Sequence, residues 1–221
     1  ELESSSYNIS KYWLPIQDNI TNTNEEFIFV KNHNALVSVE GNNLTEEKYT
    51  LAFIYIVRDP RDVAVSYSNF DKTISVDKAI ERITSQNLFS HVANKNPYDI
   101  EILGSWKFNY FSWKNGISEI PRIIIRYEDL LDKTFDTKLK IISFLSKILG
   151  SQINEEHIKF SIEQSDFERL KKLETNNYFT ESSNNFFNSG KVGQWKTKLS
   201  TDQIKKIEDF CKEEMKELNY L

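Results

Sequence analysis

A single cysteine, Cys211, gives this chain no partner for an internal disulfide, and such sparse use fits a reducing compartment, so a cytoplasmic location is expected. No apolar run is long enough to span a membrane, and neither a span nor a signal peptide is expected. The three histidines, His33, His91 and His157, lie far apart from one another and from Cys211, without ligand spacing, so no metal site is expected. Positive charge is short. Against 33 Asp and Glu there are 28 Lys and Arg, and the net charge of −5 argues against a general nucleic-acid surface, though not against a local basic pocket for one small anion. No Gly-x-x-x-x-Gly-Lys-Ser/Thr run is present, which sets aside a nucleotide kinase of the P-loop class. The first residues, ELESSSYNIS, are polar and carry no initiator Met, and a start upstream of Glu1 is expected.

What remains is the composition of a folded enzyme-sized domain. The 221 residues are 39% hydrophobic and 13% aromatic, enough for one α/β domain over 1–221. Its organising stretch is Leu51–Phe70, LAFIYIVRDPRDVAVSYSNF. Leu51 to Val57 form a short apolar run rich in β-branched and aromatic residues, which predicts a strand buried on both faces. Arg58-Asp59-Pro60 follows, with Asp59 as a cap and Pro60 at the first helical position. The helix places Val63, Ser66, Tyr67 and Phe70 on one face. Arg58 therefore leaves the carboxyl end of a strand, where open α/β sheets bind ligands, and a guanidinium, a hydroxyl and a helix amino end there suit an anion. The competing reading makes Arg58 an ion-pair partner of Asp59 or Asp62.

Other elements follow from the same rules. Tyr12 to Ile20 predicts a short amphipathic helix with Pro15 near its start, and Phe27–Val30 a second buried strand. Residues 34–50 read as a loop with a weak element. Helices are expected over 76–83, 102–113, 135–149 and 154–164, with Gly150 as a C-terminal cap. The Trp106–Trp113 stripe reads as core, with an acceptor pocket as the competing reading. Residues 94–98 read as a loop. Ile120 to Leu131 predicts a third buried strand that turns into a loop, with Pro121 at its beginning. Ser200 and Gln203 form a capping box for a terminal helix with Ile204, Ile207, Phe210 and Leu218 on its core face, and 212–217 as a solvated charge run.

The string Ile-Tyr-Ile-Val-Arg-Asp-Pro-Arg-Asp-Val-Ala-Val-Ser-Tyr resembles the nucleotide-binding segment of the sulfotransferases that use 3′-phosphoadenosine 5′-phosphosulfate (PAPS). Three further motifs resemble the same family in the same order: Lys31-Asn32-His33, Arg126-Tyr127-Glu128-Asp129-Leu130, and Gly190-Lys191-Val192-Gly193-Gln194-Trp195-Lys196. The match runs over roughly residues 27–221. It implies a three-layer α/β/α fold with a central, mostly parallel sheet, similar to P-loop NTPases. It implies transfer of a sulfuryl group from PAPS to a hydroxyl or amine, with 3′-phosphoadenosine 5′-phosphate (PAP) as product. The acceptor expected is a small molecule, a sugar or a peptide group, with no nucleic-acid partner.

Residue roles follow from that resemblance. Arg58 and Ser66 correspond to the pair that holds the 3′-phosphate. His33 corresponds to the general base and Lys31 to an electrostatic partner; an imidazole can take an acceptor proton near neutrality. Tyr127 falls near the adenine, although a Tyr hydroxyl satisfying a buried carbonyl is an equal reading of that residue alone. Ser165 and Phe167 match a Ser/Thr-x-Phe segment flanking the adenine, and Asn188, Ser189 and Gly190 match the residues wrapping the 3′-phosphate. His91 and His157, without such context, read as surface or structural residues.

Two departures stand out. The family opens on a strand and a phosphate-cradling loop of the Tyr-Pro-Lys-Ser-Gly-Thr-Thr-Trp type, yet the first glycine here is Gly41. That loop is expected upstream of Glu1. Asn188 stands where the family has Arg, and brings no charge to the 3′-phosphate. These departures keep open an alternative, a degenerate, non-catalytic protein of the same fold that binds nucleotide or a partner.

Overall fold

The computed structural model describes residues 9–21, 27–70, 73–86, 90–91, 100–175 and 190–221. Two compact units divide the chain: Glu1–Tyr55 with Arg82–Arg122, and Ile56–Glu81 with Ile123–Leu221. In order, the elements are α1 (Trp13–Thr21), β1 (Ser38–Val39), β2 (Asn42–Asn43), β3 (Phe53–Val57), α2 (Pro60–Phe70), α3 (Val76–Ile83), β4 (Ser90–His91), β5 (Ile100–Glu101) and α4 (Trp106–Asn115). Then come β6 (Arg122–Arg126), α5 (Tyr127–Asp132), α6 (Thr134–Leu149), α7 (Glu155–Gln164), α8 (Phe167–Thr175), α9 (Trp195–Lys198), α10 (Thr201–Phe210) and α11 (Lys212–Glu217).

The architecture is α/β. β3 and β6 are hydrogen-bonded neighbours in a parallel sheet, although α2, α3 and α4 separate them in sequence. The Phe53 N–H donates to the Pro121 carbonyl just ahead of β6, where Pro121 costs the ladder no donor. β3 is not buried on both faces as expected. Val57 is 2% exposed but Ile56 is 55% exposed.

In the first unit, β1 and β2 form a hairpin with Ser38 opposite Asn43 and Val39 opposite Asn42. Its turn residues Glu40 and Gly41 both take positive φ, 49° and 81°, as the twist of a two-residue hairpin demands. Gln17 of α1 donates to the Leu44 carbonyl and accepts from Thr45, tying helix to hairpin. The buried apolar residues of this unit include Ala35, Leu44, Ile83, Ile102, Tyr110 and Ile120. Trp113 packs edge-on to Phe53 at 4.9 Å and Trp106 stacks on Tyr110; of the stripe Tyr110 is buried, and both tryptophans are half-buried.

Three expectations fail in this unit or at its border. Phe27–Val30 has no strand, and Phe29 and Val30 are each 69% exposed. An apolar run becomes a strand only where a neighbour takes up its backbone groups. Among the described residues no strand pairs with it. α4 begins at Trp106, not Ile102, because Gly104 takes φ +66° and the Ser105 hydroxyl caps the Phe108 N–H. After β6 the chain enters α5 directly at Tyr127 rather than a loop, with Glu128 and Asp129 in the first turn.

In the second unit the buried apolar residues include Val57, Ala64, Val65, Ile80, Ile125, Ile158, Ile207, Met215 and Leu218. Asp59 caps α2 as expected, accepting from the Arg61 N–H. α2 buries Pro60, Arg61, Asp62, Ala64 and Val65, while the Val63–Phe70 face is half-buried and ends on exposed Phe70. Gly150 closes α6 with φ +63°, and the Ser200–Gln203 capping box opens α10. The terminal helix is not continuous: Cys211 separates α10 from α11, and Met215 is buried within the charge run. Among the described residues, no helix is long and apolar enough to cross a membrane. Residues 94–98 lie outside the described set.

Candidate active site

The Arg58 side chain leaves the end of β3. Its guanidinium carbon lies 4.6 Å over the Tyr127 ring, and Nη2 donates to the Lys191 carbonyl at 2.9 Å. The carboxylates that competed for it have other duties. Asp59 pairs with Arg61 at 2.7 Å, and Asp62 accepts from the Gly193 and Trp195 N–H groups at 2.6 and 3.1 Å. The ends of two adjacent strands thus supply a cation on an aromatic face, and the cation reaches a glycine-bearing loop.

That loop is built around close approach. Gly190 takes φ +63°, and a Cβ there would meet the Phe167 ring at 2.7 Å. Gly193 takes φ +73°. Only glycine accepts such a backbone without strain, and at Gly190 only glycine fits. Phe167 opens α8, so two predicted residues more than twenty positions apart in sequence meet here.

A buried polar network fixes the same corner. Arg61, with its side chain 6% exposed, makes two-pronged contact with Asp59, reaches Glu208 at 2.5 Å and the Tyr220 carbonyl at 2.9 Å, and lies 3.8 Å over the Trp195 ring. Burial opposes the Arg61 charge, but the Asp59 and Glu208 carboxylates outweigh it and hold its pKa above the ordinary value. Buried Glu128 accepts from the Asp59 N–H and from the Tyr220 hydroxyl. Burial, then that bond to Glu128, pushes the Tyr220 phenol above its usual range.

The remaining predicted residues are placed as follows. Ser66 is half-buried on α2. Ser165 ends α7, where its hydroxyl lies within hydrogen-bond distance of the Ser161 carbonyl and of Lys138 Nζ. Asn188 and Ser189 lie outside the described residues. Lys31 and His33 belong to the first unit and are exposed. The His33 carbonyl accepts from Asn109 Nδ2 at 3.2 Å, and the same amide donates to Leu103 and accepts from Tyr55. Next to it, the Asn34 carbonyl accepts from Trp113, and Asn34 Oδ1 accepts from the Ile102 N–H. α4 thereby pins the segment carrying His33.

The pattern missed Asp62, Arg61, Glu128 and Tyr220. The one available sign was the density of charge around a helix start, Arg58-Asp59-Pro60-Arg61-Asp62, which exceeds what a cap needs.

The sulfotransferase domain family matches residues 20–219, nine-tenths of the chain. The chain belongs to the sulfotransferase family. Among curated sulfotransferases it is 26% identical over 174 residues to the amine sulfotransferase of Oryctolagus cuniculus, covering 74% of this chain and 54% of that protein. Sulfotransferase 1B1 of Canis lupus familiaris is 28% identical over 176 residues, covering 73% of this chain and 54% of that protein. The chain therefore spans about half the length of the curated sulfotransferases it matches. Mouse sulfotransferase SULT7A1, solved with PAP, superposes with a TM-score of 0.66 at 19% identity, over 90% of this chain and 68% of that one. Retinol dehydratase, solved with androsterone and PAP, gives 0.62 at 20% identity, over 90% and 56%. The fold is that of the sulfotransferases, as the four motifs implied.

Proposed function

We propose that the protein transfers a sulfuryl group from PAPS to a hydroxyl or amine of a small-molecule acceptor, in the cytoplasm. The observation that carries this reading is Arg58. It stands at the end of β3, stacked on Tyr127 and bonded to the Gly190–Trp195 loop. A guanidinium with two-pronged donors suits a phosphate, and a loop with two glycines at positive φ can turn backbone amides toward an anion. Those residues fit a nucleotide carrying a 3′-phosphate. In this reading Arg58 and Ser66 hold that phosphate, and Asn188, Ser189 and Gly190 wrap it. Tyr127, Ser165 and Phe167 border the adenine.

PAPS supplies the sulfuryl group. His33 takes the acceptor's proton as the acceptor oxygen or nitrogen bonds to sulfur. The bond from sulfur to the 5′-phosphate oxygen breaks, its electron pair stays on that oxygen, and PAP leaves. Lys31 stabilises negative charge during transfer. Positioning and charge stabilisation carry such a reaction. The amine and flavonol sulfotransferases among the relatives support a small-molecule acceptor.

The test is calorimetric titration of PAP into the protein, followed by transfer of labelled sulfate from PAPS to a panel of phenols, steroids and amines. Binding and transfer are the expected results. Failure of PAP to bind overturns the reading. Binding without transfer to any acceptor favours the second reading, a non-catalytic nucleotide-binding protein, for which Asn188 in place of Arg speaks.

A further inference from the structure

The carboxylate of Asp62 is 1% exposed and sits in the first turn of α2. Removing a carboxylate from water is costly unless it is paired or well hydrogen-bonded. The helix amino end favours the charge, and Oδ2 and Oδ1 accept from the Gly193 and Trp195 N–H groups. A helix of this length needs no buried acid for its own sake, since Asp59 already caps it.

We propose that Asp62 is a positioning residue for the nucleotide, acting through the loop that runs from Gly190 to Trp195. The inference rests on the reading that this loop receives the 3′-phosphate. The loop has no regular structure before α9, and Gly190 and Gly193 both take positive φ, so its own backbone preferences do not define one conformation. Its definition comes from outside. Phe167 closes against Gly190, Arg58 takes the Lys191 carbonyl, and Asp62 takes two N–H groups at the far end. Of these anchors, Asp62 is the one fully buried in a regular helix, so it ties the loop to the same α2 that carries Ser66. Arg58 then has two tasks at one spot, the loop carbonyl and the phosphate, and the Asp62 anchor keeps the loop in place while Arg58 engages the anion. Asp62 touches no reacting atom.

The experiment compares the unsubstituted protein with Asp62→Asn and Asp62→Glu. In Asp62→Asn one amide oxygen still accepts, but the NH2 group faces the second N–H. Hydrogen exchange at the Gly193 and Trp195 amides, read by NMR without ligand, should quicken about tenfold or more. The dissociation constant for PAP should rise about tenfold to a hundredfold. The KM for PAPS should rise in step while kcat moves by less than about threefold, a split that general destabilisation does not produce. Asp62→Glu keeps both acceptor oxygens and should fall between the two, so it carries the test if Asp62→Asn does not fold. A folded variant that binds PAP as the unsubstituted protein does overturns the inference. If the unsubstituted protein itself binds no PAP, the functional reading falls, and this inference with it.

Discussion

The ring of Phe167 closes over Gly190 so tightly that a Cβ at Gly190 would come within 2.7 Å of it. The glycine also sits at φ +63°, where a side chain is strained even in open space. Gly190→Ala should therefore cost about 1–3 kcal/mol, read as a shifted midpoint in urea unfolding. Phe167→Ala in the same protein should return the part due to the clash and leave the part due to φ.

Arg58→Lys keeps the charge but loses the planar fork that spans Tyr127 and the Lys191 carbonyl. PAP affinity should fall about tenfold or more, with the thermal midpoint little changed. An unchanged affinity, measured calorimetrically, would remove Arg58 from the phosphate site.

His33 is exposed, and its contact with Asn109 runs through the backbone carbonyl rather than the imidazole. His33→Ala should therefore leave stability and PAP binding intact while lowering kcat about a hundredfold to ten-thousandfold. Sulfate transfer that survives the substitution would assign the proton to another group.

Arg61 pairs with both Asp59 and Glu208 and lies over the Trp195 ring. Arg61→Ala leaves a buried carboxylate unpaired and should cost about 3–5 kcal/mol, the largest loss of any single change proposed. Equilibrium unfolding in urea measures it.

Tyr220 is neutral in the folded chain well beyond the pH at which an ordinary phenol ionises, because burial and its bond to Glu128 oppose the phenolate. A pKa raised on folding stabilises fully below the unfolded value and is lost above it. Stability should thus fall as pH climbs past about 10, where the unfolded phenol ionises first. Tyr220→Phe should flatten that alkaline slope in a series of melts while lowering stability at neutral pH.

Local chemistry was readable without coordinates. The Asp59-Pro60 start of α2, Gly150 at φ +63° and the Ser200–Gln203 box all depend on neighbours within about one helical turn. The four motifs lay in order along the chain, and the family they pointed to is the one that matches residues 20–219. Where an outcome depends on distant partners, the pattern misled or was silent. Phe27–Val30 looks as strand-like as Phe53–Val57, but only the latter has a strand to pair with among the described residues. Asp62 looks like any acid in a first helical turn. Its role comes from amides 131 and 133 positions away, brought to it by the packing of α2 against α9 and α10. Side-chain chemistry and short-range backbone preference are properties of the string itself. Burial and hydrogen-bond satisfaction are properties of the folded chain, because they depend on which groups exclude water together.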